Sequence, residues 1–294
     1  MKILLTGATG FIGSRLAKSL VDKDYEVECI IRQQSDVSKL PEGIVWHRYY
    51  QINDLYEIVE SIRPNLVIHL AGFFVNKHSK ENIEDLIQSN YVFPSILMDA
   101  LNKFGCKMLI NTGTYWQNYG EEEYNPVNLY AANKQAFRDI VEYYVRDQKW
   151  KAITLTMFDV YGVNDNRKKL LNIIRDMHQG ESINLTSGTQ QMCMCIVDDV
   201  VDAYIHSIYL LNEMEYGSFT NYSVRDDKSL PLKTIIEKFV DISNKNIVLN
   251  WGKIEQDIKV FNHPECIGER LVGWAPKYTI DMGLKKYYND WRES

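Results

Sequence analysis

The sequence predicts an α/β fold in which a doubly wound parallel sheet is followed by a smaller α/β unit. Three observations lead to this prediction. An apolar run at residues 2–6 leads directly into a glycine-rich turn at residues 7–13 and then into a helical pattern. Strand-like runs continue to alternate with helical runs to about residue 160, a pattern typical of parallel strands covered by helices on both faces. After that point the elements shorten and are separated by Gly, Asn and Pro.

Length and composition bound the number of domains. With 294 residues, of which 45% are hydrophobic, the chain can form one large domain or two unequal domains. We expect a first domain over residues 1–160, to which the segment 194–212 returns. A smaller domain then covers residues 161–294.

Charge and cysteine content exclude several classes of protein. The net charge is −6 with Lys and Arg scattered, whereas nucleic-acid-binding proteins usually carry a basic surface, so we expect no nucleic-acid partner. No apolar stretch approaches about eighteen residues and no signal peptide is visible, so we expect a cytoplasmic protein without a membrane segment. Five cysteines without a CxxC pair favour buried thiols, and six histidines without ligand spacing favour no metal site.

The turn at residues 7–13 predicts a phosphate site. Glycine lets the backbone turn tightly and approach a pyrophosphate, while the first N–H groups of the next helix stabilise its negative charge. A glycine turn can also serve packing alone, but its place between a strand and a helix favours dinucleotide binding, and with it a Rossmann-type domain. The residues expected to hold the cofactor here are Gly7, Thr9, Gly10, Phe11, Ile12 and Gly13.

The end of the second strand indicates which dinucleotide is bound. An acidic residue at this position would bind the ribose hydroxyls and select NAD. The strand at residues 27–31 is instead followed by Arg32, whose guanidinium can pair with a 2′-phosphate. A solvated loop arginine is the alternative interpretation, but the local chemistry favours NADP(H) over NAD(H).

The remaining elements follow in order. Strands are predicted at residues 44–49, 66–70, 107–111 and 152–157, and helices at residues 54–62, 82–103, 128–148 and about 281–292. Ligands bind at the carboxyl ends of parallel strands. Residues 71–73 and 112–114 fall at such ends and are therefore candidate binding segments.

Tyr130 and Lys134 lie four positions apart in the predicted helix 128–148. This spacing places both on one face, so the ammonium can lie near the phenol and favour the phenolate. Such a pair is suited to general acid/base chemistry. A surface helix that happens to carry Tyr and Lys would show the same spacing, so the pair needs agreement from the rest of the chain.

With these residues assembled, the chain resembles the extended short-chain dehydrogenase/reductase family, which contains nucleotide-sugar epimerases, dehydratases and reductases. The resemblance covers nearly the whole length. Its motifs are the glycine turn, Ile-His-Leu-Ala at residues 68–71, Asn90, Thr112, Tyr130 with Lys134, Phe-Asp-Val-Tyr-Gly at residues 158–162, Val-Asp-Asp-Val at residues 197–200 and Gly-Trp-Ala-Pro at residues 273–276.

The resemblance implies roles for individual residues. Thr112 would bond the reacting sugar oxygen, Tyr130 would be the acid/base, and Lys134 would hold the nicotinamide ribose and tune the tyrosine. Further cofactor contacts would come from Leu70, Ala71, Gly72 and Asn90, and substrate contacts from Phe73, Thr112, Thr114, Asp159 and Arg167. The family also implies a homodimer in which helices 82–103 and 128–148 pair with their copies.

The residues after Thr112 separate the branches of the family. In the 4,6-dehydratases an Asp and a Glu follow, whereas this chain has Gly113 and Thr114. Local motifs are most similar to the 4-ketoreductases of deoxysugar nucleotides. We therefore expect NADPH-dependent reduction of the 4-keto group of a nucleotide-activated 6-deoxyhexose. The alternatives are a nucleotide-sugar 4-epimerase with tightly bound NAD and, from another class, a non-catalytic NADP-binding sensor.

One departure from the family concerns the diphosphate of the substrate. The family usually has an Arg-Asp pair before the Val-Asp-Asp-Val motif, and this chain has Met192 and Cys193 there. Another cation must take the place of the arginine if a diphosphate binds. The candidates are Arg167, Lys168, Arg225 and Arg270.

Overall fold

The structure is a computed structural model that describes residues 1–121, 123–255 and 259–293. Its strands are β1 (Lys2–Thr6), β2 (Glu26–Ile31), β3 (Val45–Arg48), β4 (Leu66–His69), β5 (Met108–Thr114), β6 (Lys151–Met157), β7 (Asp159–Tyr161), β8 (Ser182–Asn184), β9 (Gln191–Met192), β10 (Met194–Ile196), β11 (Phe219–Val224), β12 (Leu230–Pro231) and β13 (Val248–Asn250). Its α-helices are α1 (Phe11–Val21), α2 (Asp54–Ile62), α3 (Ile83–Ile87), α4 (Phe93–Lys103), α5 (Leu129–Gln148), α6 (Leu170–Asp176), α7 (Val197–Glu213), α8 (Leu232–Ser243) and α9 (Ile280–Glu293).

A seven-stranded parallel sheet forms the centre of the molecule, in the order β11-β6-β5-β4-β1-β2-β3. Every residue of β6 is buried, as expected for a strand with helices on both faces. One buried cluster lies between the sheet and helices α1 and α7, and a second lies between the sheet and helices α2, α4 and α5. The predicted doubly wound α/β fold is confirmed.

Two elements differ from the sequence-based expectation in ways that matter for function. β5 continues to Thr114 rather than ending at residue 111, because its last residues stay in register with β6. The predicted helix 82–103 is interrupted by one π-helical turn, Gln88–Val92, between α3 and α4. Turns of this kind are often found at functional sites.

The sequence analysis missed strand β11, which pairs with β6 at the edge of the sheet. Its polar members Thr220, Asn221 and Ser223 hide the apolar run that marks an inner strand, because an edge strand is only partly covered. The chain therefore returns to the sheet after α7. The division into domains 1–160 and 161–294 remains a proposal.

The C-terminal part builds a separate cluster from α6, α8 and α9. Phe239 of α8 stacks on Tyr287 of α9 with ring centroids 5.4 Å apart, and both rings are fully buried. Short strand pairs, β8 with β13 and β9 with β12, border this cluster.

The cysteines and the helix lengths bear on two of the expectations. The five cysteines are free thiols, four of them buried as expected and Cys266 exposed. Within the described ranges, no helix is both long and apolar enough to cross a membrane.

Candidate active site

The glycine turn forms the floor of a cleft at the carboxyl edge of the sheet. Gly7 has φ +74°, a conformation that favours glycine. A Cβ on Gly13 would lie 2.0 Å from the carbonyl oxygen of Gly7, so the turn and helix α1 touch through bare backbone. Helix α1 begins after Gly10, and no side chain caps the first N–H groups of this helix. This geometry leaves helical N–H groups available for a pyrophosphate.

The cleft has a volume of about 370 Å³. Of the predicted cofactor residues, those that line it are Gly7, Thr9, Gly10, Arg32, Leu70, Ala71 and Gly72. Phe11, Ile12 and Gly13 lie outside this lining. Phe11 instead packs below the Arg167 guanidinium, with 5.0 Å between the ring centroid and the Cζ atom.

Arg32 lies exposed at the end of β2, where Ser35, Lys39 and Tyr49 line the same end of the cleft. In the part of the chain that the structure describes, no carboxylate lies within ion-pair distance of its guanidinium. Asp36 is the acidic residue of this lining, and its carboxylate accepts hydrogen bonds from Ser38 N at 3.0 Å and Ser38 Oγ at 2.7 Å. The side chains around Arg32 therefore leave it free for an anionic group.

The Asn90 side chain bonds the backbone of the segment at residues 71–73. Its Oδ1 accepts from Phe73 N at 3.1 Å, and its Nδ2 donates to the Phe73 carbonyl at 2.7 Å and to the Leu86 carbonyl at 2.9 Å. Asn90 is 1% exposed and sits in the π-helical turn, so its three bonds fix the backbone of this segment. The prediction that Asn90 contacts the cofactor directly stays a prediction.

Lys134 of helix α5 approaches Gly72 of the cleft lining, and Tyr130 lies one turn earlier on the same helix. Asn128 caps this helix by accepting from Ala131 N at 3.0 Å, which fixes where the first turn begins. Lys134 Nζ lies 5.9 Å from the Tyr130 ring centroid, and a Cβ on Gly72 would be 3.4 Å from the same nitrogen. No residue among those described is within hydrogen-bond distance of Lys134 Nζ, so the ammonium is available to a ligand.

Burial controls the ionisation of both side chains. It raises the pKa of Tyr130 to about 12, although the charge of Arg167 acts in the opposite direction. Burial also lowers the pKa of Lys134 to about 8. The net shift therefore runs against the expected phenolate, because removal of the phenol from water outweighs the charge of Arg167. The effect of Lys134 on Tyr130 stays a prediction.

Thr112 lies near the end of β5 and is bonded on two sides. Its Oγ1 donates to the His69 carbonyl at 2.7 Å and lies 2.7 Å from the hydroxyl of Tyr204. Tyr204 belongs to α7 and is fully buried. Sequence reasoning missed it, because its spacing with neighbouring apolar residues indicates only the buried face of a helix.

The predicted substrate residues are held by neighbours. Thr114 is 8% exposed, and its Oγ1 accepts from Trp116 N at 3.4 Å, so it caps the next turn. Asp159 accepts from the Tyr115 hydroxyl at 2.8 Å, and Arg167 is bidentate with buried Asp165 at 2.6 and 2.7 Å. Their contacts with substrate stay predictions.

An aromatic side chain that the sequence analysis did not select lies beside Tyr130. Phe74 is 50% exposed and meets the Tyr130 ring edge to face, with centroids 5.1 Å apart. The Trp116 ring in turn meets Phe74 edge to face, with centroids 5.4 Å apart. The Tyr130 phenol therefore has an apolar neighbour in Phe74.

The structure narrows the search for a cation in place of the missing arginine at Met192. Arg225 is 6% exposed and donates to the carbonyls of Ile267, Asp226 and Gly268. Arg270 is paired with Asp227. Arg167 and Lys168 are both exposed, but Arg167 is already bonded to Asp165, so Lys168 is the candidate without a carboxylate partner among the described residues.

A parallel sheet with a glycine-floored cleft at its carboxyl edge, approached by Lys134 with Tyr130 one turn away, is the arrangement of a dinucleotide-dependent oxidoreductase. The model of the NAD dependent epimerase/dehydratase family matches residues 3–219, and the chain belongs to this family. It is an NAD(P)-dependent enzyme that acts on a nucleotide sugar.

Relatives span the whole chain. CDP-abequose synthase from Salmonella muenchen is 26% identical over 290 residues, which cover 97% of this chain and 96% of that protein. The dTDP-4-dehydro-6-deoxyglucose reductase of Escherichia coli is 23% identical and covers 97% of this chain and 95% of its own. Among solved structures, UDP-glucuronic acid 4-epimerase from Bacillus cereus, in complex with UDP-glucuronic acid and NAD, superposes with a TM-score of 0.81 at 19% identity. That superposition covers 100% of this chain and 99% of the epimerase.

Proposed function

We propose that this enzyme uses NADPH to reduce the 4-keto group of a nucleotide-activated 6-deoxyhexose. The observation that carries the proposal is that Lys134, 5.9 Å from the Tyr130 ring centroid, approaches Gly72 of the cleft lining while Arg32 stands unpaired in the same lining. The pair of Tyr130 and Lys134 suits proton transfer to a carbonyl oxygen, and Arg32 suits a phosphate on the adenosine ribose.

The side chains after Thr112 argue against dehydration. Elimination of water needs an acid and a base, and Gly113 and Thr114 supply neither. A Cβ on Gly113 would lie 3.0 Å from the Thr154 methyl group, so the site leaves little room for a carboxylate at this position. Reduction and epimerisation remain.

The ionisation of Tyr130 suits the reductive step. With a pKa of about 12, its phenol stays protonated at neutral pH and can donate a proton. Reduction of a ketone requires such a donor, and so does the reductive half of an epimerisation. A bound dinucleotide would supply the hydride to carbon 4 of the sugar. Thr112 holds the carbonyl oxygen, Tyr130 protonates it, and Lys134 binds the ribose near the phenol.

The apolar surface beside Tyr130 fits a deoxysugar. Phe74, which Trp116 packs against, places ring carbon next to the phenol that acts on carbon 4. A methyl group on a neighbouring sugar carbon loses little on contact with such rings, while a hydroxyl would lose its water there. The names of two relatives, CDP-abequose synthase and dTDP-4-dehydro-6-deoxyglucose reductase, agree with this substrate class.

Cofactor choice provides the test. A charge-assisted bond between Arg32 and the 2′-phosphate should contribute about 1.5–3 kcal/mol, or roughly ten- to a hundredfold in affinity. We expect the wild type to bind NADPH more tightly than NADH, and Arg32→Ala to lose this preference through weaker NADPH binding. The preference should also fall with added salt, because the pair is exposed.

Arg48→Ala is the matched control, because Arg48 stacks on Trp46 and donates to Gln33 outside the cleft lining. The Arg48→Ala variant should still bind NADPH more tightly than NADH. Turnover is then followed with CDP- and dTDP-4-dehydro-6-deoxyglucose and NADPH. Equal affinity for NADH and NADPH in the wild type would favour a 4-epimerase with retained NAD, the function that the superposed epimerase performs.

A further inference from the structure

The two hydrogen bonds of Thr112 have a fixed direction. A carbonyl oxygen only accepts, so the single proton of the Thr112 hydroxyl goes to His69. The bond between Thr112 Oγ1 and the Tyr204 hydroxyl, at 2.7 Å, must then use the proton of Tyr204. Tyr204 is the donor, and Thr112 is the acceptor.

The surroundings of Tyr204 keep it in this role. Its side chain is fully buried and packs in the cluster between α7 and the sheet. Among the described residues, Thr112 is the hydrogen-bond partner of its hydroxyl. Burial raises the pKa of Tyr204, and the Tyr130 phenol lies close enough to add to the effect. The Tyr204 hydroxyl therefore keeps its proton.

We propose that Tyr204 is a positioning residue that orients and strengthens Thr112 as the donor to the substrate oxygen. The inference rests on the proposed function, in which that oxygen belongs to the keto group. When the keto oxygen takes the place of the His69 carbonyl as acceptor, the bond from Tyr204 to Oγ1 remains. Donation into Oγ1 polarises the Thr112 O–H bond. The gain is larger in the transition state, because the keto oxygen becomes more negative there.

A structural role would predict something else. If Thr112 served only to satisfy a buried tyrosine hydroxyl, loss of that hydroxyl would change stability and leave the chemical step alone. The positioning role predicts that loss of the Tyr204 hydroxyl lowers kcat and that this loss depends on Thr112. The structural role predicts neither. A double-mutant cycle measures both.

The test uses Tyr204→Phe, Thr112→Ala and the double variant, with CDP- and dTDP-4-dehydro-6-deoxyglucose as probes at saturating NADPH. We expect Tyr204→Phe to lower kcat and kcat/KM together by about five- to tenfold, the worth of one hydrogen bond, with unchanged NADPH affinity. In the Thr112→Ala background, Tyr204→Phe should lower kcat by less than twofold. In a Thr112→Ser background, which keeps the hydroxyl, the effect should return.

Tyr144→Phe is the matched control. Tyr144 is also buried, its hydroxyl bonds Asp99 at 3.2 Å, and it lies roughly 20 Å along α5 from Tyr130. Its loss should leave kcat unchanged. If Thr112→Ala lowers kcat but Tyr204→Phe behaves as wild type, the inference is overturned and the proposed function stands. If Thr112→Ala has wild-type kcat, the role of Thr112 in the proposed function fails and Tyr204 has nothing to position.

Discussion

Lys134 should make the fold less stable at neutral pH, and its replacement by Met should therefore stabilise the protein. The side chain is 3% exposed and, among the described residues, has no hydrogen-bond partner for its ammonium. Burial lowers its pKa from 10.5 to about 8. Since a tenfold change in proton affinity corresponds to about 1.4 kcal/mol, the charged lysine costs the fold roughly 3 kcal/mol.

The sign of the pH dependence follows from the two pKa values. Below pH 8 the lysine is charged in both the folded and the unfolded chain, so the full cost is present. Between pH 8 and 10.5 the unfolded chain binds the proton and the folded protein does not, so the free energy of unfolding rises with pH. Lys134→Met should therefore be more stable than wild type by up to about 3 kcal/mol at neutral pH, and by less than half of that near pH 9.5.

Urea denaturation of wild type and Lys134→Met without cofactor, at both pH values, measures this difference. Lys151→Met is the control: Lys151 is also buried, but its Nζ donates to the carbonyls of Asn212 and Met214 at 2.9 and 3.2 Å. Its loss leaves acceptors unpaired and should destabilise the fold. A Lys134→Met protein that is less stable than wild type at neutral pH would refute the reasoning. So would a stability gain that does not change with pH.

Two further predictions concern catalysis and assembly. Tyr130→Phe should lower kcat by about a hundredfold or more while dinucleotide affinity, measured by titration, changes little, because one proton donor and little volume are removed; unchanged turnover would remove Tyr130 from the mechanism. Large apolar side chains stand exposed on α3, the π-helical turn and α5, at Ile83, Ile87, Tyr91 and Tyr143. We expect a dimer in sedimentation velocity at micromolar concentration and a shift toward monomer in Ile87→Glu; a monomeric wild type would contradict this interface.

Sequence reasoning succeeded where contacts follow from local periodicity. The helical repeat alone pairs Tyr130 with Lys134, whose Nζ lies 5.9 Å from the Tyr130 ring centroid. The rule that ligands bind at the carboxyl ends of parallel strands leads to the end of β5, where Thr112 lies. It could not find Tyr204, which lies 92 positions after Thr112, because the contact depends on how α7 packs on the sheet. It also misjudged the ionisation of Tyr130, since spacing reports the nearby cation but not the loss of water.

The π-helical turn at Gln88–Val92 makes the position of Asn90 depend on the number of residues between α3 and α4. A π turn holds about one residue more than an α turn, so deletion of one residue there would restore regular helix and rotate α3 by roughly 100° relative to α4. Asn90 would then swing away from Phe73, and the segment at residues 71–73 would lose its anchor. A substitution in this turn keeps the number of residues and therefore the register of α3 against α4, whereas a single-codon deletion would change that register and move Asn90 together with α3.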